Sequence, residues 1–273
     1  MTFKQRIYLF AFLALFPSVI FAQAIVSEEE TRSTTPEAHI FATFVKSFDH
    51  GLSLTIEEEI RSAPSHRSHT TLGLGYSPIE YLNIYAAYTV KVYGDQGWKD
   101  PNKYIRHRAN ILLTGQVKLG QWNLSLREGV MLDARADEID KREKNAVDAT
   151  LRSRLQVVYA IPETPLSIVG KFEILSTLNA PVDYINSLSP ISNGSEYIAY
   201  SEASANKYGQ YISELRPELG LQWKIDKKNS LTLAYRYNYI RSRDINVLDS
   251  GDAEITNKYT AKHLILLSYK LGW

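Results

Sequence analysis

From Gly51 to the C-terminus the chain alternates apolar and polar side chains with a period of two. That is the pattern of strands whose two faces meet different surroundings. In Gly51–Arg61 the even positions are Leu52, Leu54, Ile56, Glu58 and Ile60, against Ser53, Thr55, Glu57, Glu59 and Arg61. The same sorting predicts strands over Thr70–Tyr76, Leu82–Tyr93, Tyr104–Leu119, Trp122–Asp133, Ala149–Tyr159, Leu166–Thr177, Tyr211–Ile225 and Ser230–Arg241. A tenth, His263–Trp273, carries Ile265, Leu267, Tyr269, Leu271 and Trp273 on one face. His39–Phe48 is apolar enough for a strand but is not cleanly sorted: Ile40, Phe44 and Phe48 fall on one face, Phe41 and Val45 on the other.

Most of these segments have the ~9–11 residues that a tilted strand needs to cross a bilayer. The connectors alternate in length. Asp49-His50-Gly51, Ser77–Glu80, Gly120-Gln121, Pro162–Pro165 and Asp226–Asn229 are short, whereas Gly94–Lys103, Ala134–Val147, Ala180–Gly209 and Ser242–Ala261 are long and mostly polar. A β-sandwich or a lipocalin-like barrel would also alternate, but with its apolar face buried. Tight turns at one end and long loops at the other belong to an outer-membrane barrel. The expected fold is all-β, an antiparallel up-and-down transmembrane β-barrel of 10–12 strands. Single-chain bacterial barrels use even numbers. Ten strands would leave His39–Phe48 as an accessory segment; twelve would need one more in the leader or in Ala180–Gly209. The terminal strand, with an apolar outer face and a final aromatic, resembles the C-terminal assembly signal of such barrels. The assembly machinery and membrane lipid are therefore the expected partners of Ile265, Leu267, Tyr269, Leu271 and Trp273.

The first residues fit an export route. Lys4 and Arg6 precede the uncharged apolar run Ile7–Leu15, Pro17 breaks it, and Ala22-Gln23-Ala24 offers a small-x-small cleavage site. Residues 1–22 are expected to be a signal peptide, with cleavage as late as 24, followed by a flexible polar leader over 23–37 and a barrel over 38–273. No later apolar run reaches about 18 residues, so no transmembrane helix is expected. Lys and Arg number 31 against 30 Asp and Glu, which gives nucleic acid no bulk charge to recognise. Cysteine is absent, removing disulfides, thiol nucleophiles and Cys-based metal sites. The 18 Tyr suit strands and membrane interfaces.

Several stretches carry a family likeness: SLTIEEEIR (53–61), LGLGYSPIEYLNIYAAY (72–88), YIRHRANILLTGQVKLGQWNLSLREGVML (104–132), LRSRLQVVYAIP (151–162) and LRPELGLQWKIDKKNSLTLAYRYNY (215–239). Through them the chain resembles the bacterial outer-membrane barrel family called domain of unknown function 2490, with 178–207 as an atypical insert. The resemblance implies a barrel in the outer membrane of a Gram-negative bacterium, and carries no activity and no site residues.

Candidate chemistry lies on the polar face. It holds Arg61, Lys91, Arg106, Arg108, Lys118, Arg127, Arg152, Arg154, Lys171, Arg216, Lys224, Arg236 and Lys262, with Glu57, Glu59, Asp133, Glu173, Glu214 and Glu218. In a barrel these side chains share a narrow lumen, either as mutually satisfied charge ladders or as a positively biased path that attracts anions. The expected protein is a monomer without cofactor, metal or catalytic residues, structural or a narrow, anion-preferring transport barrel. Two other readings stand beside it: a hydrolase with its site at the outer rim, and a surface barrel that binds ligand with its long loops. For the hydrolase, His66 and His69 flank Ser68, but no orienting acid is identifiable. Two carboxylate groups in the expected outer loops (Asp133, Asp137, Glu138, Asp140; Asp244, Asp249, Asp252, Glu254) match no Ca²⁺ loop spacing. Asn193-Gly194-Ser195 is a glycosylation tripeptide only on a eukaryotic route. Glu58 and Glu128 fall on the apolar face, where a carboxylate is destabilising; a headgroup boundary or a β-bulge is the expected explanation.

Overall fold

The computed structural model describes residues 25–32, 36–62, 67–93, 105–134, 147–180, 183–184, 209–247 and 253–273. Thirteen strands occur among them: β1 (Ile25–Arg32), β2 (Glu37–Ser47), β3 (Leu52–Arg61), β4 (Arg67–Ile79), β5 (Leu82–Tyr93), β6 (Ile105–Leu119), β7 (Trp122–Ala134), β8 (Val147–Ala160), β9 (Leu166–Thr177), β10 (Asp183–Tyr184), β11 (Tyr211–Lys224), β12 (Asn229–Val247) and β13 (Ala253–Gly272). Eleven close a barrel in the order β2 to β9, then β11, β12 and β13, each antiparallel to the next. The seam that closes it is parallel: β13 pairs β2 from Leu264↔Glu37 to Gly272↔Val45.

Eleven lies between the even counts of ten and twelve, and an odd count makes the first and last strands run the same way. The leader adds to that seam rather than standing apart from the barrel. Strand β1 pairs parallel with Glu254–Ala261 of β13, so β1 and β2 follow one another along a single edge of the last strand. Two further departures from expectation concern the long connectors. Most of Ser242–Ala261 is strand, because β12 and β13 continue as a paired ribbon from Tyr237↔His263 to Val247↔Ala253. A ribbon that has left the bilayer meets water on both faces and needs no apolar alternation. Asp183–Tyr184, near the start of the 180–209 connector, adds to the same ribbon, parallel to Asn246–Val247.

The barrel is apolar outside. Ile40, Ile56, Leu72, Leu74, Ile111, Leu219 and Leu233 are all exposed on its outer face, the reverse of a soluble barrel and the arrangement that lipid requires. At the short-turn end an aromatic rim marks the boundary: Trp122 packs on Tyr159 at 4.6 Å, and Tyr76, Trp223 and Tyr269 are exposed near it. Trp273 is tied there. Its backbone N–H donates to Val45 O at 3.0 Å, and Lys46 Nζ lies 5.0 Å from its ring. The turn between β2 and β3 is tight, with His50 at φ 60 and Gly51 at φ 76. A Cβ on Gly51 would stand 2.3 Å from Ser77 O, so the position admits only glycine.

Part of the lumen is apolar. Ala234, Leu264 and Leu266 form a buried cluster against which Phe41 packs. Phe41 and Val45 blur the pattern of β2 because this strand borders the filled sector of the interior. On the other side Tyr85 swings over Gly73, where any Cβ would collide with its ring.

Candidate functional site

Adjacent strands bring the inward charges into rungs. One rung runs Arg127↔Arg154↔Glu173↔Arg216 across β7, β8, β9 and β11; the next runs Gln156↔Lys171↔Glu218↔Arg236 across β8, β9, β11 and β12. Glu173 is held from both sides, by Arg152 Nε at 2.7 Å and Arg216 Nη1 at 2.9 Å. Arg216 Nη2 also reaches Glu214 at 2.5 Å. Glu218 accepts from Lys171 Nζ at 2.6 Å and from Arg236 Nε and Nη2 at 2.8 and 2.6 Å.

The opposite wall has a different chemistry. Glu59 is gripped by Arg61 (2.8 and 2.9 Å), His39 Nδ1 (3.1 Å) and His69 Nδ1 (3.0 Å). Glu57 accepts from Thr43 Oγ1 at 3.1 Å. Towards the long-connector end, Asp133 takes Arg108 Nε and Nη2 at 2.9 and 2.8 Å together with Lys91. Lys262 Nζ pairs with Glu37 at 2.8 Å.

Two observations give this lumen a sign. First, the cations cover the carboxylates. The side chains of Arg61, Arg108, Arg152, Lys171, Arg216, Arg236 and Lys262 stay 20–29% exposed, while those of Glu37, Glu59, Asp133, Glu173, Glu214 and Glu218 stay only 3–16% exposed. Lys91, at 5%, is the exception. The wall therefore presents guanidinium and ammonium groups to the interior. Second, Arg127 and Arg154 face each other on neighbouring strands. Arg127 Nε donates to Thr114 Oγ1 at 3.0 Å, and among the described residues neither arginine has a carboxylate within 4.0 Å. Like charges in direct cross-strand register are destabilising, so the pair adds positive charge at mid-wall that Glu173, in register with Arg154 and already held by Arg152 and Arg216, offsets only in part.

The remaining candidates disperse. Arg106 lies on the inward face of β6, and Lys118 and Lys224 stand near the short-turn ends of β6 and β11. Ser68 and His69 are consecutive strand residues and point to opposite faces: Ser68 Oγ donates to Glu58 outside and His69 meets Glu59 inside. No Ser–His dyad forms there, and His66 is outside the described residues. Asp133 is committed to Lys91 and Arg108 rather than to a cation site. Asp137, Glu138, Asp140, Asp249, Asp252 and Asn193–Ser195 lie outside the described residues, as do the side chains of Asp244 and Glu254. Among the described residues no group of three or more His, Asp or Glu is placed to hold a metal ion. Glu58 and Glu128 do project from the outer face, and no register shift stands beside either. Each is met by hydroxyls of the next strand, Glu58 by Ser68 and Thr70 at 2.7 and 2.6 Å and Glu128 by Ser153 at 2.6 Å.

The sequence reading missed His39 and Tyr211. His39 sat in the unsorted strand. Tyr211 was expected on the apolar outer face, but the register shifts between Ile212 and Glu214, and this bulge turns Tyr211 into the interior, where it is buried. Such a shift has no signal in periodicity. Ile265, Leu267, Tyr269 and Trp273 are exposed on the outer face of β13, with Leu271 half-buried beside them.

No family model matches the chain, and no curated protein matches it. Among solved structures it is similar to one described as the NanC porin in a rhombohedral crystal form, at 11% identity and a TM-score of 0.41, over 80% of this chain and 87% of that one.

Proposed function

We propose that the protein is a non-enzymatic outer-membrane barrel acting as a narrow channel that prefers anions, exported by its N-terminal signal and inserted with Trp273 at the periplasmic rim. The proposal keeps it with the uncharacterised barrel family it resembles in sequence. The observation that carries the reading is the layering of charge in the lumen: carboxylates buried beneath guanidinium groups, with Arg127 and Arg154 without a carboxylate within 4.0 Å among the described residues. A low-dielectric wall focuses the field of such groups on the water between them, raising the local concentration of anions and excluding cations. A ladder built only to fill the interior would pair each arginine.

The test is conductance of the purified, refolded protein in planar bilayers under a KCl gradient. The reversal potential is expected to take the sign of chloride selectivity. Replacing both Arg127 and Arg154 with Gln should move it towards zero. Cation selectivity, or no conductance from pure protein, would overturn the proposal.

A further inference from the structure

We infer that the long-connector end of the lumen holds a binding site, separate from the mid-wall arginines, for a small dianionic solute: a phosphate monoester or a dicarboxylate. It deepens the channel reading by naming what the channel would hold at its mouth. A cavity of about 390 Å³ lies there, lined from opposite walls of the barrel. Strands β5 to β8 supply one side. The β12–β13 ribbon supplies the other, because it continues past the rim and brings Ser242 and Arg243 across the opening. The volume is near the lower end for small-molecule pockets, which sets a limit on solute size.

The lining fixes the chemistry. Lys91, Arg106, Arg108 and Arg243 supply four positive charges, and Asp133 and Asp148 two negative ones, a net of 4 − 2 = +2. That sum holds however the individual groups pair. Hydroxyls come from Thr150, Thr177, Ser242 and Tyr211, and among the described residues the single aliphatic lining residue is Ala180. An apolar solute or a lipid chain finds little aliphatic surface here, and a cation is repelled. Two excess charges of a site made largely of arginine forks favour two closely spaced negative charges over one.

The cations are also held in place. Arg108 and Lys91 share Asp133. The Arg243 guanidinium carbon lies 4.6 Å from the centre of the buried Tyr211 ring, and its Nε donates to Asn257 Oδ1 at 3.3 Å. Arg241 stacks on the same ring at 5.8 Å and donates to the same oxygen at 2.9 Å. Such bracing lowers the ordering entropy a ligand must overcome. It also gives the inward turn of Tyr211 at the β11 bulge a purpose.

The experiment is calorimetric titration of the folded protein in detergent at fixed ionic strength with glycerol 3-phosphate, succinate, lactate and glycerol. Glycerol 3-phosphate or succinate should bind at least tenfold tighter than the monoanion lactate, and glycerol should not bind; the tighter of the two dianions names the class. Arg106→Gln and Arg243→Gln should each weaken the dianion tenfold or more, while Arg243→Lys retains part of the binding and Lys46→Gln, at the far rim outside, leaves it unchanged. Heat-modifiable migration on gels shows that each variant is folded. Equal affinity for lactate and both dianions, or dianion binding untouched by Arg106→Gln and Arg243→Gln, would overturn the inference. A barrel that lacks chloride preference yet binds the dianion would refute the channel reading and leave this site standing; the reverse result would do the opposite.

Discussion

Glu173 and Glu128 are the same side chain placed in two solvents by one barrel. Glu173 faces the lumen and lies between the guanidinium groups of Arg152 and Arg216. Glu128 faces lipid and, among the described residues, has one hydrogen-bond partner, the hydroxyl of Ser153. On the lipid face Glu58 repeats the arrangement with Ser68 and Thr70. Inside, where water shares the space, a carboxylate is balanced by charge. Outside, a balancing arginine would bring a second ion into hydrocarbon. A hydroxyl from the next strand satisfies the oxygen without adding charge.

The lipid-face groups are also ordered in height. Glu58, Tyr88, Glu128 and Tyr235 each stand six residues beyond the short-turn start of their strands at Leu52, Leu82, Trp122 and Asn229. Tyr88 Oη shares a hydrogen bond with His107 Nδ1 at 2.6 Å, and Tyr235 Oη one with His263 Nδ1 at 2.5 Å. The outward polar groups thus occupy one level of the belt, each joined to its neighbouring strand. Inside, rungs of opposite charge do the corresponding work.

The largest effect should come from breaking the lumen arrangement. Glu173→Leu leaves Arg152 and Arg216 facing each other and Arg154 across a rung with no intervening charge. Stripping one partner from a buried ion pair costs about 3–5 kcal/mol. These arginines keep roughly a quarter of their surface exposed, so hydration offsets part of that. The expected loss is about 3 kcal/mol, read as a lower urea midpoint for unfolding from detergent micelles or vesicles. An unchanged midpoint would show that lumen water, not Glu173, neutralises the wall.

How far the sequence disclosed this molecule follows from what alternation can encode. Each strand with lipid on one face and a polar lumen on the other was legible from period two, and the strands expected from Gly51–Arg61 to Ser230–Arg241 appear where the pattern puts them, some of them longer than expected. Strand β2 was blurred because Phe41 faces the apolar cluster of Ala234, Leu264 and Leu266. The ribbon beyond Arg241 was read as loop because it has left the bilayer. In the site, the list of inward charges was legible, since parity selects them. How those charges meet was not: that depends on register, Arg127 opposite Arg154 and Glu173 between Arg154 and Arg216, and register is a relation between strands that single-strand periodicity does not carry.

The lipid face should respond less, and in both directions. Ser153→Ala removes the hydrogen-bond donor to Glu128 Oε2 and strands a carboxylate in hydrocarbon, an expected loss of about 1–2 kcal/mol. Glu128→Leu removes the polar group as well and should restore or raise stability above the parent. The double variant Ser153→Ala, Glu128→Leu should match Glu128→Leu alone. Additive effects in that cycle would mean that the two side chains do not act as a pair.

The smallest effect on stability is expected where charge is in excess. Arg154→Gln removes one member of a like-charge pair in direct register with Arg127; Glu173, in register with Arg154 on the other side, keeps Arg152 and Arg216 as ion partners. Cross-strand repulsion of this kind is worth roughly 0.2–1 kcal/mol, so the variant should unfold at the parent's urea midpoint or slightly above it. Its chloride selectivity should nonetheless fall, since the field that attracts anions has lost a source. Glu173 and Arg154 would then separate cleanly: one holds the wall together, the other burdens it slightly and gives it its sign. If Arg154→Gln proves as destabilising as Glu173→Leu, Arg154 belongs to the structural ladder, and the anion preference must come from the covering of carboxylates by cations alone.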